Sequence, residues 1–158
     1  MQEVSVIIPN FNGMAYLDGV LAGLECQSVN NFEVILVDNG SSDGSCAFVA
    51  ARYPWVHLIE LPENFGFCKA VNEGIKASRA PYVLLLNNDI EVTDNFIEEM
   101  IFAIKRHPKA FSCAARMIQF HDRDKLDDAG NYYCALGWAY ARGKGKDIHT
   151  YEKEEKIF

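Results

Sequence analysis

Two isolated carboxylates follow strongly apolar segments and could do chemistry. Asp89 comes after the apolar residues 83–86 and two asparagines, and Asp38 comes after the apolar residues 34–37. A lone carboxylate with amide neighbours suits a hard divalent cation, Mg²⁺ or Mn²⁺, that takes its other oxygens from water and phosphates. The carboxylate of Asp38 could accept hydrogen bonds from a nucleobase N–H or ribose hydroxyls. The structural alternatives are an Asx turn at Asp89 and, for Asp38, a cap on a helix beginning near Asp43.

The elements that must position these groups alternate between strands and helices. Nearly all-apolar runs predict strands that are buried on both faces, at residues 4–8, 32–37, 56–60 and 82–86. Apolar stripes at helical spacing lie between and after these strands. The order β-α-β-α-β-α-β-α predicts an α/β fold with a mostly parallel sheet flanked by helices.

Polar clusters follow all four predicted strands, at residues 9–13, 38–44, 62–66 and 87–89. Ligands of open parallel sheets bind beyond the carboxyl ends of the strands, so these loops should converge on one site. Each loop taken alone is explained by Asn, Asp, Gly and Ser as ordinary turn formers and helix caps. The coincidence of four such loops indicates a binding site.

Composition narrows the class of protein. The 158 residues are 49% hydrophobic and 23% charged, with a net charge of −7, which is typical of a globular protein with a core of its own. The negative charge argues against nucleic acid as a partner. No apolar run is long enough to cross a membrane, and no signal peptide is recognisable. The five widely spaced cysteines are predicted to be reduced core residues of a cytosolic protein.

The pattern is weaker in the last third of the chain. A fifth strand within residues 110–120 could join the sheet edge, and turns flank an aromatic hairpin at residues 132–140. Its rings could stack on a sugar, although covering a sheet edge is the favoured role. We therefore divide the chain into an α/β domain, residues 1–120, and a hairpin with a charged tail, residues 121–158. The terminal pair Ile157-Phe158 indicates a fold that is interrupted.

Four blocks of the sequence are recognisable as a set: residues 4–13, residues 37–44, Asn64-Phe65-Gly66 with Asn72-Glu73-Gly74, and residues 85–89. In order and spacing they resemble the family 2 inverting glycosyltransferases of GT-A fold. The later Asp128-Ala129-Gly130, Gly137-Trp138 and Arg142-Gly143 look like the hairpin that follows in rhamnosyltransferase-like members.

The resemblance implies a Rossmann-like GT-A domain that binds a nucleotide-diphospho-sugar, UDP- or dTDP-linked, for inverting transfer to a carbohydrate or lipid-linked acceptor. It implies nucleotide contacts from these residues: Pro9, Asn10, Asn12, Asp38, Asn64, Gly66, Asn87 and Asn88. Asn87 and Asp89 take the two ends of the family's DxD motif, in which the last Asp holds Mn²⁺ or Mg²⁺ and the first position faces ribose. Asn87 adds no charge, which predicts a weaker metal affinity.

The same resemblance predicts what lies outside this sequence. In the family the catalytic base follows the hairpin, so we expect it beyond Phe158. The only late acidic pair, Glu154-Glu155, is better explained as solvated surface. The chain is then the donor-binding portion of a transferase of hexosyl type, truncated before its acceptor segment. A cytoplasmic location is expected, with peripheral attachment at the inner membrane face where family members build polysaccharides.

Two other functions remain as alternatives. The first is a non-catalytic module that binds a nucleotide-sugar. The second, more remote, is a serine hydrolase, since residues 40–44 match G-x-S-x-G with Ser42 as nucleophile. That reaction needs a histidine, and His107, His121 and His149 lie in a helix end and in polar turns. A dinucleotide oxidoreductase is disfavoured because the first turn lacks G-x-G-x-x-G.

Overall fold

The computed structural model describes residues 2–156 of the chain, which divides into two compact units. A parallel sheet of four strands organises the first unit, which ends at Ile101. Its strands are β1 (Val4–Asn10), β2 (Phe32–Asp38), β3 (His57–Glu60) and β4 (Tyr82–Leu85). Their spatial order is β3-β2-β1-β4, and every pairing is parallel. The helices are α1 (Met14–Glu25), α2 (Ser45–Arg52), α3 (Phe67–Ala77) and α4 (Phe96–Arg106). The predicted α/β fold with a mostly parallel sheet flanked by helices is confirmed.

The core lies on both faces of the two central strands. Val6 and Ile8 of β1 are fully buried in a cluster with residues of α1, α2 and α4. On the opposite face, α3 packs closely because Gly74 has no side chain and lies directly against Ile7 and Val37. The strand order reverses beside β1, with β2 and β3 on one side and β4 on the other. Such a reversal is where open α/β sheets bind ligands.

The prediction that all four strands are buried on both faces is wrong for β3 and β4. In β4, Val83 and Leu85 are 42% and 51% exposed, and in β3 the end residues His57 and Glu60 are exposed. The reason is their position, since β3 and β4 form the two edges of this sheet and helices cover mainly its centre. Apolar sequence alone does not distinguish an edge strand from a central one.

The residues from Phe102 onward form a second compact unit. It contains two antiparallel pairs, β5 (Met117–Ile118) with β6 (Leu126–Asp128), and β7 (Asn131–Tyr133) with β8 (Ala139–Ala141). The predicted aromatic hairpin is confirmed as β7 and β8. The predicted fifth strand of the main sheet is wrong, because β5 pairs instead with a strand close in sequence, which needs no crossover connection. The functional division at residue 120 stays a prediction.

Three sequence-based expectations concern features outside the sheet. All five cysteines are free thiols, but their predicted place in the core is wrong: Cys26 and Cys68 are exposed and the others are partly buried. Cys26 follows the last turn of α1 and Cys68 lies in the first turn of α3, at helix ends that face water. No helix within residues 2–156 is both long and apolar enough to cross a bilayer. The pair Ile157-Phe158 lies outside the described residues.

Candidate functional site

Asn10, the last residue of β1, connects the ends of three neighbouring strands. Its side chain is almost fully buried, and its Nδ2 donates to Oδ1 of Asp38 at 2.8 Å and to Oγ of Ser41 at 3.3 Å. Its Oδ1 accepts from Nδ2 of Asn88 at 2.7 Å. Asp38 ends β2 and Asn88 follows β4, so one amide joins both sides of the point where the strand order reverses. We call this set, Asn10, Asp38, Ser41 and Asn88, the amide network.

Asp38 is buried and its carboxylate is satisfied within the protein. Besides Asn10, it accepts from the Ser41 backbone N–H at 2.8 Å and from the Ser41 hydroxyl at 2.6 Å. Three donors compensate for removing a carboxylate from water. In this arrangement Asp38 holds the turn after β2 in shape. A direct contact with a nucleobase, implied by the family resemblance, stays a prediction.

The turn after β2 is also bonded to the turn after β1. The Asn12 backbone N–H donates to Ser41 Oγ at 2.8 Å, and Asn12 Oδ1 accepts from the Ser42 backbone N–H at 2.9 Å. Asp43 accepts from the backbone N–H of Met14 at 2.9 Å and of Ser45 at 3.0 Å, so it supports the first turns of both α1 and α2. A hydrogen bond from the Ser45 hydroxyl lowers the pKa of Asp43. Asp43, not Asp38, thus supports the start of α2.

A second pair of amides joins the turns after β2 and β3. Asn39 Nδ2 donates to Asn64 Oδ1 at 2.9 Å, and Asn39 Oδ1 accepts from the Phe65 backbone N–H at 3.0 Å. Asn64 Oδ1 also accepts from the Gly66 backbone N–H at 2.8 Å. Gly40 allows this approach, because it has a φ of +78° and an added Cβ would lie 2.6 Å from the backbone of Glu63. These bonds position the N-terminus of α3.

A cleft of about 240 Å³ opens beside these turns. Its lining residues are Pro9, Asn10, Phe11, Asn39, Asn64, Gly66, Phe67 and Ala70. Four of these are residues that the family resemblance assigns to the nucleotide: Pro9, Asn10, Asn64 and Gly66. The other four were missed, although Asn39 directly follows Asp38 in the same polar cluster. Phe11, Phe67 and Ala70 carry no polar signal in the sequence and are brought to the cleft by the fold.

The remaining predicted residues also follow the carboxyl ends of the strands, but they lie outside the cleft. Asn12, Asp38 and Asn88 support the network and are not among the cleft-lining residues. Asn87 and Asp89 are exposed after β4, and within the described residues neither side chain makes a hydrogen bond or an ion pair. The structure therefore brings seven of the nine predicted residues to the cleft or to the hydrogen bonds around it, and it leaves Asn87 and Asp89 exposed after β4.

Asp89 suits an open metal site that a bound phosphate completes, but not a site enclosed by protein side chains alone. Residues 2–156 contain no group of three His, Cys, Asp or Glu side chains that could enclose a metal. A single exposed carboxylate fits a Mg²⁺ or Mn²⁺ ion that keeps several waters and takes further oxygens from a bound phosphate. The residues present are thus compatible with a cation completed by the ligand.

The first unit is strongly negative, so an anionic ligand would be repelled unless a cation such as Mg²⁺ or Mn²⁺ offset the charge. Residues 1–101 carry four Lys and Arg against 14 Asp and Glu, a formal charge of −10, whereas residues 102–158 carry eleven against eight, a formal charge of +3. Lys69 and Lys76 both pair with Glu73, at 2.7 and 2.9 Å. Those two of the four basic side chains are therefore already engaged.

The geometry does not support a serine hydrolase. The Ser42 backbone N–H is bonded to Asn12, so Ser42 takes part in the contacts between the turns after β1 and β2. His107 and His149 are bonded to Glu154 and Glu152 instead. These bonds give Ser42 a structural role and engage two of the three candidate histidines with carboxylates.

Comparison with solved structures identifies the class of fold. S. aureus TarS in complex with UDP-GlcNAc superposes with a TM-score of 0.62 and 26% identity, over 68% of this chain and 32% of that chain. The mannosyltransferase PcManGT from Pyrobaculum calidifontis, in complex with GDP-Man and Mn²⁺, superposes with a TM-score of 0.61 and 23% identity, over 65% and 32% of the two chains. The fold is GT-A, as predicted.

Residues 5–155 match the family described as glycosyl transferase family 2, and the chain belongs to this family. Among curated relatives, the putative teichuronic acid biosynthesis glycosyltransferase TuaG of Bacillus subtilis is 27% identical over 78% of this chain and 50% of its own. An uncharacterised glycosyltransferase of Haemophilus influenzae is 31% identical over 68% and 44%. The chain spans half or less of the length of both relatives.

Proposed function

We propose that this chain is the donor-binding portion of a glycosyltransferase that moves a sugar from a nucleotide-diphospho-sugar to an acceptor hydroxyl with inversion. The observation that carries the proposal is the amide network, which joins the predicted loops beside one cleft in a member of glycosyl transferase family 2. The structural neighbour TarS, which binds UDP and UDP-GlcNAc, supports a nucleotide-sugar as the ligand class.

The cleft offers groups that suit a nucleotide. Phe11 and Phe67 are 48% and 59% exposed, so their ring faces are available for contact with a base or a sugar. The N-terminus of α3 begins at Gly66 in the cleft wall, and the N–H groups of a first helical turn favour a phosphate. We assign the donor to this cleft, with nucleotide contacts from the predicted residues that line it, Pro9, Asn10, Asn64 and Gly66. Asn12, Asp38 and Asn88 hold the turns beside the cleft.

A divalent cation is part of the proposal because the first unit is strongly acidic. We place Mn²⁺ or Mg²⁺ on Asp89, with Asn87 toward the ribose. When bound, the ion would offset the charge that develops on the leaving diphosphate. Asp89 has no competing partner in the described part of the chain, so its carboxylate is available to bind the ion. Asn87 contributes an amide without charge, and we expect a correspondingly modest metal affinity.

The acceptor half of the reaction is assigned to no residue described here. Glu154 bonds to Arg106 and His107, and Glu155 bonds to the buried Arg142, so both late carboxylates are already engaged. We propose that the base lies beyond Phe158 and that the acceptor is a carbohydrate or a lipid-linked sugar in polysaccharide biosynthesis. We further propose that the sugar of the donor is a rhamnosyl or other hexosyl group. We propose a cytoplasmic location for the protein, peripheral to the inner membrane face.

The test is calorimetric titration of the chain with UDP, dTDP and GDP, each with and without Mn²⁺ or Mg²⁺. We expect one nucleotide to bind in a metal-dependent manner and Asp89→Ala to remove the metal dependence. Glu25→Ala is the matched control. Glu25 is an exposed carboxylate at the last residue of α1, and α1 leads from the end of β1 to the start of β2, so Glu25 lies far from the strand ends that carry the site.

Each outcome of this titration has a definite meaning. Metal-dependent binding that survives Asp89→Ala would contradict the role of Asp89. Absence of binding for every nucleotide, with a normal circular dichroism spectrum, would contradict the donor site as a whole. Binding without sugar transfer to any acceptor would favour the non-catalytic module.

A further inference from the structure

The hairpin of β7 and β8 exposes an unusual apolar surface. Between Asp128 and Arg142 there is no charged side chain over residues 129–141. Leu136 is 79% exposed, Trp138 is 66% exposed and Tyr140 is 56% exposed. We call Leu136, Trp138 and Tyr140 the hairpin tip. Exposed single apolar residues are common, but several on one uncharged hairpin mark a surface for an interaction.

The hairpin presents these side chains in a defined conformation. Tyr132 and Tyr140 face each other across the strands with ring centroids 5.6 Å apart. The turn is closed by the Cys134 N–H bonded to the Trp138 carbonyl and the Gly137 N–H bonded to the Cys134 carbonyl, each at 3.0 Å. Gly137 has a φ of +93°, which a glycine adopts readily. Leu136 and Trp138 therefore lie in a closed turn, and Tyr140 lies two residues beyond it in β8.

Basic residues follow the hairpin at once. Arg142, Lys144 and Lys146 alternate with glycines directly after β8. Arg142 is buried beneath the ring of Tyr151, whereas Lys144 is 66% exposed at its side chain and pairs with the exposed Asp127 at 3.3 Å. The unit that carries the hairpin has a formal charge of +3, which comes from the four basic residues within 102–116, and the first unit has −10. Apolar residues at the tip and lysines at the base form an amphipathic element.

We propose that the hairpin tip inserts into the interface of an anionic lipid bilayer. Trp and Tyr favour the level of the headgroups, and Leu136 would reach the acyl boundary. Lys144 and Lys146, about five or more residues from the turn, would lie at the depth of anionic headgroups, which attract basic residues. This inference deepens the peripheral membrane location in the proposed function, and it does not depend on nucleotide binding.

A sugar-binding platform explains the same residues less well. Carbohydrates present many hydroxyls, and sites for them need polar side chains around the aromatic ring. Residues 132–141 contain no Asn, Gln, Asp, Glu, Ser or Thr, and their only hydroxyls are those of tyrosines. The one amide of the hairpin, Asn131, lies at the start of β7, away from the turn. Leu136 at the turn offers nothing for a sugar to bond. The composition therefore favours lipid.

Fluorescence of Trp138 tests the insertion directly. The chain has two tryptophans, Trp55 and Trp138, so Trp55→Phe leaves Trp138 as the only indole. We expect its emission to shift to the blue with vesicles of phosphatidylcholine and phosphatidylglycerol in equal amounts, and to shift little with phosphatidylcholine alone. In sedimentation with the mixed vesicles, the double variant Leu136→Ser/Trp138→Ser should partition about tenfold or more weakly.

Phe111→Ser is the matched control, because Phe111 is fully exposed in the same unit but outside the hairpin. It should leave partitioning unchanged. The inference is overturned by an unshifted Trp138 emission, by equal responses to both vesicles, or by a similar loss in Phe111→Ser. A blue shift caused by soluble dextran or by raised protein concentration without lipid would also overturn it, in favour of a sugar platform or self-association. Calorimetry with nucleotides on the same sample reports separately on the donor site.

Discussion

Replacing Gly13 by alanine tests whether the amide network holds the site together. An added Cβ would lie 2.1 Å from Asn88 Nδ2 and 2.4 Å from Asn10 Oδ1, the two atoms that form the 2.7 Å hydrogen bond. No side chain tolerates such distances, so an amide must move. Asn88 is only partly buried and can swing toward solvent, which leaves the Oδ1 of the buried Asn10 without its donor.

The expected loss of stability follows from two opposing contributions. Leaving a buried acceptor without its partner costs about 1–3 kcal/mol. Gly13 has a φ of −103°, which alanine adopts without strain, so the lower entropy of the unfolded alanine chain returns about 0.4–1 kcal/mol. These two contributions give a net loss of about 0–2.6 kcal/mol. Because the added Cβ also lies 2.4 Å from Oδ1 of the buried Asn10, which must shift as well, we expect the free energy of unfolding to fall by about 1–3 kcal/mol. Urea denaturation followed by circular dichroism measures this change.

Gly19→Ala provides the matched control. Gly19 lies inside α1, and an added Cβ there meets nothing within 4 Å. Alanine in a helix interior is favoured over glycine by roughly 0.5–1 kcal/mol, so this variant should be more stable than the wild type. If Gly13→Ala proved as stable as Gly19→Ala, the reasoning about the Asn10 and Asn88 bond would be refuted.

Two further predictions use other features of the same unit. Gly74→Ala should lower the free energy of unfolding by about 1–2 kcal/mol, because its Cβ would lie 2.4 Å from Cγ2 of the buried Ile7, and this overpacking outweighs the roughly 0.5–1 kcal/mol that alanine gains inside a helix; an unchanged urea midpoint would contradict this. Burial, assisted by neighbouring carboxylates, raises the pKa of Cys46 to about 12, so its thiol stays protonated at neutral pH. Brief alkylation followed by peptide mass spectrometry should label the exposed Cys26 and Cys68 first, and preferential labelling of Cys46 would show this expectation to be incorrect.

The order of elements was predictable because local patterns carry it. The apolar runs that became β1 and β2 are the central strands, and their burial agrees with their composition. The exposure of Val83 and Leu85 was not predictable, since it depends on β4 being at an edge. The pairing of β5 was missed for a similar reason, because two strand residues carry little signal about their partner.

The polar residues of the site were identified more readily than their contacts. Asn10 stood out only as one residue of a polar turn, yet it bonds to residues 28 and 78 positions away along the chain. Phe11, Phe67 and Ala70 carry no chemical signal and line the cleft because of where β1 and α3 place them. Such contacts depend on long-range packing, which no local window of sequence contains.

The sequence by itself determined the α/β pattern, the polar strand ends and the family, because each depends on residue types at short and fixed spacing. Only the tertiary structure decided which strand ends are neighbours, since strand order is a choice among packings of the same elements. It also decided that Asn10 is the central member of the network and that Gly13 must lack a side chain, because both depend on atoms that approach within a few ångströms only after folding.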